Sequence, residues 1–254
     1  MRLYAFSCGY IRSRKTVFVP DAPKEEFILG PMPVFVILHP RGNVLFDTGP
    51  HPSVFRDAYS RWGGLAKAFE PIGDDRSGIL DPLDSLRIKP GDIRYVVNSH
   101  LHFDHAGGNQ FFPQSTFLVS RNELEWARNP DHEGKGYFRA DWDHPLSYQA
   151  VEGSCDIYGD GSLTIIPLPG HAPGNQGLLV RLEKQGNVIL SGDSVPVEEN
   201  FVSLKMPRNH LDAAEALHTV QKLHELAERE SALLIYGHDP VQWEKIRKAP
   251  EYYE

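Results

Sequence analysis

Six consecutive residues, His100-Leu101-His102-Phe103-Asp104-His105, place three imidazoles and one carboxylate in a single short stretch. Helical periodicity would scatter these four side chains around an axis, whereas a loop leaving a strand can turn all of them toward one point. The preceding Ile93-Arg94-Tyr95-Val96-Val97-Asn98 reads as that strand, and Ala106-Gly107-Gly108-Asn109 as the turn that follows. The fold must therefore bring strand ends to a common centre. Imidazole suits Zn, Fe, Co and Ni, and an added carboxylate admits harder ions such as Mn.

The rest of the chain repeats this pattern. Arg2 to Phe6, Val34 to His39 and Asn43 to Phe46 read as strands, with Pro40-Arg41-Gly42 as a hairpin turn and Asp47-Thr48-Gly49 closing the third. Thr116 to Val119 is a further strand. Ser120 with Glu123 forms a capping-box pattern for a helix over Asn122 to Ala127. Residues 129 to 162 read as an irregular insertion bordering a binding site. Leu163 to Leu168 ends before Pro169-Gly170-His171. A hairpin of Gly177 to Leu182 and Val188 to Leu190 ends before Gly192-Asp193, and Ala232 to Tyr236 ends before Gly237-His238. Leu211 to Arg229 is the clearest helix, with Asp212 as its cap and Leu217, Val220, Leu223 and Ala227 as its apolar stripe.

A lone histidine is ordinarily a surface or hydrogen-bonded core residue. On that ground His39, His51, His132, His144, His210, His218 and His224 are assigned structural roles. His171 and His238 stand apart from these because each follows a glycine directly after an apolar strand. Seven candidate ligands then remain: His100, His102, Asp104, His105, His171, Asp193 and His238.

Composition narrows the function classes. With 26 basic and 34 acidic residues the formal charge is −8, which argues against a nucleic-acid partner. Arg12, Arg14 and Lys15 are read as a solvated turn. The two cysteines, Cys8 and Cys155, have no ligand spacing and imply no disulfide framework. The start lacks the apolar stretch of a secretion signal, and no apolar run is long enough to span a bilayer. A cytoplasmic protein is expected.

His-Leu-His-Phe-Asp-His at 100–105, with Asp47-Thr48-Gly49 before it and Pro169-Gly170-His171, Gly192-Asp193 and Gly237-His238 after it, resembles the metallo-β-lactamase superfamily. The wording from Ser99 to Asn109 is most similar to the N-acyl-homoserine lactonases. The resemblance implies an α/β fold, a four-layer αββα sandwich spanning residues 1–254 as one domain of two pseudo-symmetric halves. It also implies two divalent metal ions, zinc first, with manganese, iron or cobalt as alternatives. His100, His102 and His171 would hold one ion, Asp104, His105 and His238 the other, with Asp193 between them and Asp47 behind the ligands. Two such ions, roughly 3.5–4 Å apart, supply hydroxide near neutral pH. Asp104 would pass a proton to the departing ring oxygen and so be catalytic. The implied activity is ring opening of a small lactone or ester, first of all N-acyl-homoserine lactones (quorum quenching), by a monomer or homodimer.

Two positions depart from the lactonase wording. Pro196 stands where that family carries a tyrosine that contacts the substrate carbonyl, and Asn175 replaces the second His of Pro-Gly-His-x-Pro-Gly-His. Phe103, Ser194 and Pro196 are expected at the substrate, with Ser194, Tyr137 or Tyr148 supplying the contact that Pro196 lacks. The competing readings are hydrolysis of another ester, a thioester or a β-lactam, and a non-hydrolytic di-iron protein.

Overall fold

The computed structural model describes residues 1–254. Its strands are β1 Arg2–Arg14, β2 Phe27–Leu38, β3 Asn43–Phe46, β4 Glu70–Ile72, β5 Ile93–Val97, β6 Thr116–Ser120, β7 Ser147–Val151, β8 Cys155–Asp156, β9 Leu163–Pro167, β10 Gln176–Leu182, β11 Gly186–Leu190 and β12 Leu233–Ile235. They form a seven-stranded sheet, β4-β1-β2-β3-β5-β6-β7, and a five-stranded sheet, β12-β11-β10-β9-β8. Both are mixed: β3, β5, β6 and β7 run parallel to one another in the first, and β11 and β12 in the second.

Period-two alternation gives each sheet two apolar faces. Phe35, Ile37, Val44, Phe46, Val97 and Leu118 of the first sheet meet Leu163, Ile165, Leu178, Val180, Val188, Leu190 and Ile235 of the second in one central core. Their alternates Val34, Val36, Leu45, Val96, Phe117 and Val119 face outward. There they are covered by Leu83 of helix α2 (Leu80–Ser85), Leu124 and Ala127 of α3 (Arg121–Arg128) and Trp142 of α4 (Arg139–Trp142); a short helix, α1 (Ala58–Trp62), precedes them in the chain. Leu179, Ile189 and Leu234 on the outer face of the second sheet pack against Val220 and Leu223. Those two belong to α6 (Ala213–Glu230), which lies between α5 (Glu198–Ser203) and α7 (Pro240–Lys245) in the chain. The layer order is therefore α-β-β-α, as the resemblance implies. Truncating a leucine of the central core to alanine costs about 2–5 kcal/mol.

Three local readings are corrected. β1 runs on past Phe6 because a bulge between Ser7 and Tyr10, with Gly9 at φ +80, absorbs the break in alternation. Pro31 and Pro33 of β2, which lack ladder donors, lie opposite those residues. Arg12 and Arg14 consequently sit on a strand, not a turn, with Arg12 over the Phe27 ring at 4.1 Å. Within 129–162 the chain forms α4, β7 and β8; β7 adds to the sheet edge beside β6, and its alternation of exposed Ser147 and Gln149 with half-buried Tyr148 and Ala150 gives only a weak apolar pattern.

Candidate metal centre

Every candidate ligand lies just beyond the C-terminal end of a strand. The loop after β5 carries His100, His102, Asp104 and His105, and Asp47 follows β3; His171, Asp193 and His238 follow β9, β11 and β12. All seven ligand side chains converge. His102 Nδ1 lies 2.9 Å from His100 Nε2 and 3.0 Å from His171 Nε2. Asp104 Oδ2 lies 3.6 Å from both His105 Nε2 and His238 Nε2. The two oxygens of Asp193 split between these groups: Oδ1 is 3.3 Å from His105 Nε2 and 3.0 Å from His238 Nε2, and Oδ2 is 3.5 Å from His171 Nε2.

Hydrogen bonds behind the imidazoles fix which nitrogen faces inward. His105 Nδ1 meets Asp47 Oδ2 at 2.8 Å, and His238 Nδ1 meets the Pro31 carbonyl at 2.8 Å. Ser99 donates its N–H to Asp47 Oδ1 and its hydroxyl to Oδ2, both at 2.7 Å, while His100 Nδ1 lies 3.0 Å from that hydroxyl. Donation from these outer nitrogens leaves each Nε2 with a lone pair toward the centre. Asp47 takes a left-handed backbone, φ 57. This costs on the order of 1 kcal/mol and turns the carboxylate under the ligand loop.

The donor set fits cations. His105 Nε2 and Asp193 Oδ1 are buried without a hydrogen-bond partner, although they face each other. Two lone pairs so placed repel unless a positive charge lies between them. Burial lowers the pKa of His100 and His171, and neighbouring imidazoles reinforce this, while burial takes His102 down to about 3. Burial also disfavours charge on His105 and His238, but Asp104 and Asp193 outweigh it and both are raised. Burial raises Asp104; for Asp193 it is overcome by His238, His105 and His171, which hold the carboxyl well below its usual range. The residues form His/Asp clusters suited to a dinuclear metal site.

A cavity of about 380 Å³ opens onto these residues. Ile11, Phe18, Leu65, Phe69 and Phe103 give it an apolar wall, with Lys135 and Asn209 as polar members. Phe103 is fixed by the Trp62 ring at 4.5 Å and Phe69 at 5.8 Å.

Phe103 thus lies at the cavity, but Ser194 and Pro196 do not line it. The Ser194 hydroxyl is engaged inside the fold, donating to the Leu168 carbonyl at 2.9 Å and accepting from Asn175 Nδ2 at 2.6 Å. The 3-10 turn Gly192–Ser194 swings the chain away from the cavity after Asp193, and Pro196 is buried with its carbonyl accepting the His238 N–H at 2.7 Å. Tyr148 is likewise committed, donating to the Trp142 carbonyl at 2.6 Å. Tyr137 stands edge-on to His102, ring centres 4.5 Å apart, and lines a smaller side cavity of about 140 Å³ with His102, His171 and Asn209.

Three further residues belong to the surroundings of the site. His210, assigned a structural role above, is buried against it, with Nε2 3.1 Å from the Asp193 carbonyl and its ring centre 5.1 Å from that of His171. Asn209 borders both cavities, and its Oδ1 is buried without a partner. Glu123 does not close a capping box, since Ser120 makes no side-chain cap; it points inward instead. Asn209 and His210 sit in an irregular stretch before α6, where no motif or period marks them. For Glu123 the acidic position in a first helical turn is the one local signal, and it points to a different role.

Residues 29–238 match the metallo-beta-lactamase superfamily. N-acyl homoserine lactonase AttM of Azorhizobium caulinodans is 40% identical over 230 residues, 88% of each chain. N-acyl homoserine lactonase AiiA of Bacillus thuringiensis subsp. kurstaki is 31% identical over 212 residues, 83% of this chain and 82% of its own. Among solved structures, an N-acyl homoserine lactone hydrolase with the product N-hexanoyl-L-homoserine bound at its catalytic metal centre matches with a TM-score of 0.90 at 27% identity, over 99% of this chain and 98% of that one.

Proposed function

The chain belongs to the metallo-beta-lactamase superfamily, and we propose that it is a dinuclear metal-dependent lactonase that opens the ring of N-acyl homoserine lactones, and so quenches quorum signals. The observation that carries this reading is the placement of Asp193 between two ligand triads at the floor of an apolar-walled cavity. The relatives named above, lactonases by name, support the substrate class.

His100, His102 and His171 would hold one cation and Asp104, His105 and His238 the other, with one oxygen of Asp193 turned to each group. Zinc suits a set of five imidazoles and two carboxylates. When bound, such a pair polarises the lactone carbonyl and supplies hydroxide near neutral pH. The chain does the rest. Asp47 and Ser99 hold the tautomers of His105 and His100. Asp104 presents Oδ2 to His105 and His238, leaving Oδ1 to carry a proton to the departing ring oxygen. The wall of Ile11, Phe18, Leu65, Phe69 and Phe103 takes the acyl chain and excludes water from it. Asn209 Oδ1, buried and unpartnered, accepts the substrate amide N–H. With Cys8 and Cys155 both free, we place the protein in the cytoplasm, as a monomer or homodimer acting without nucleic acid. No helix is long and apolar enough to cross a membrane.

The test is catalytic efficiency of the zinc-loaded protein on a panel: N-hexanoyl-homoserine lactone, a linear ester, a thioester and a β-lactam. The lactone should lead by orders of magnitude. A higher efficiency on another member would reassign the substrate, and no turnover of any, with redox bands once the protein is loaded with iron in place of zinc, would favour the di-iron alternative.

A further inference from the structure

Glu123 is a fully buried carboxylate, at 0% exposure, that the chemistry above does not use. It sits in the first turn of α3, and each oxygen accepts one backbone N–H. Oε1 takes that of Leu101 at 2.9 Å, and Oε2 that of Gly174 at 3.1 Å. Leu101 lies between His100 and His102, and Gly174 follows His171 by three residues. One side chain therefore joins the two loops that carry the all-imidazole triad. The approach is close: a Cβ on Gly174 would stand 2.4 Å from the Glu123 nitrogen and 2.5 Å from its Cβ, so only glycine fits there. The other triad is oriented by different groups, Asp47 behind His105 and the Pro31 carbonyl behind His238.

We propose that Glu123 is a positioning residue that clips the His100–His102 loop to the His171 loop and so sets the affinity of the His100, His102, His171 triad for its cation. The proposal rests on the two-metal reading of the site. A carboxylate can accept from both amides at once. A glutamine in its place keeps one acceptor and turns an NH₂ against the other N–H, so one loop amide loses its partner in a dry setting. The ligands themselves would be untouched, and only their spacing would relax.

Metal-free wild type and E123Q are titrated with Zn²⁺ against a chromophoric chelator, and unfolding of each metal-free protein is followed by circular dichroism. Wild type should take up two ions. E123Q should keep one at wild-type affinity and bind the other roughly 10–100-fold more weakly, the usual effect of losing a group that orients ligands. H102A identifies the weakened site: adding E123Q to H102A should lower the remaining affinity no further. Equal loss at both sites, or two unchanged affinities, overturns the proposal, and so does a loss confined to metal-free stability. If E123Q does not fold, E123D, which withdraws the charge by one methylene, is read in the same way; failure of both to fold makes Glu123 a core residue and ends the proposal. Wild type that binds fewer than two Zn²⁺ defeats the two-metal reading itself, an outcome distinct from these.

Discussion

His100, His102 and His171 form a triad with no formal charge, whereas Asp104, His105 and His238 include a carboxylate, and the pKa values of their imidazoles shift in opposite directions although burial lowers all of them. Without a nearby carboxylate strong enough to compensate, burial pushes the pKa of His100, His102 and His171 down. Beside Asp104 and Asp193, those of His105 and His238 go up. The supports differ as well: backbone amides gathered by Glu123 on one side, a side-chain carboxylate and a carbonyl behind the rings on the other. Two cations of the same element would thus meet unequal sites, a neutral one better suited to polarising a carbonyl and an anionic one better suited to holding its ion.

Asp104→Asn removes the asymmetry most directly, because it makes the second triad neutral while keeping its shape. Turnover of N-hexanoyl-homoserine lactone should fall on the order of 10²–10⁴-fold; wild-type kcat in a variant that still holds two metals would remove Asp104 from proton transfer. Asp47→Asn should come next, with about 10–100-fold lower metal affinity. Asp47 touches His105 directly and His100 through Ser99, so chelator competition should reveal weakening at both sites, unlike E123Q. A smaller effect tests the wall against the floor. Leu65→Ala should raise KM about tenfold for N-decanoyl-homoserine lactone, from about 1.4 kcal/mol of lost apolar contact, and leave the N-hexanoyl substrate nearly unchanged. Equal shifts for both chains would place Leu65 elsewhere than against the acyl tail. Asn209→Ala should be the mildest, about 1 kcal/mol or some fivefold in KM with kcat preserved; an unchanged KM would leave the substrate amide without its assigned partner.

The floor and the wall also differ in how openly the sequence displays them. Four of the seven floor residues are nearly contiguous, because one loop leaving β5 must aim several ligands at a point, and the others each follow a strand of recognisable pattern. The wall draws Ile11 from a strand, Phe18 from the turn after it, and Leu65 and Phe69 from a segment of short turns. No period links such residues, so nothing local marks them as neighbours. Glu123 misleads for another reason. Its position in the first helical turn matches a capping box, but the unpaired amides of Leu101 and Gly174 draw the carboxylate inward, a demand visible only once both loops are in place. Ser194 misleads because adjacency to Asp193 along the chain does not carry over to the cavity, and one 3-10 turn parts the two side chains. The extra length of β1 is hidden by the bulge at Gly9.

Gln176 bonds from the second sheet to the Asn98 and Leu118 carbonyls of the first, each at 2.9 Å, at the rim where the ligands gather. Each triad takes two of its members from loops of the first sheet and one from the second. Any ion seated in either triad would therefore be a rivet through the seam of the sandwich, and loading and folding would share one equilibrium. At a free metal concentration about 1,000 times Kd, one such rivet would add about 4 kcal/mol to the stability of the whole fold, so the metal supply of the cell would set this protein's lifetime as well as its rate.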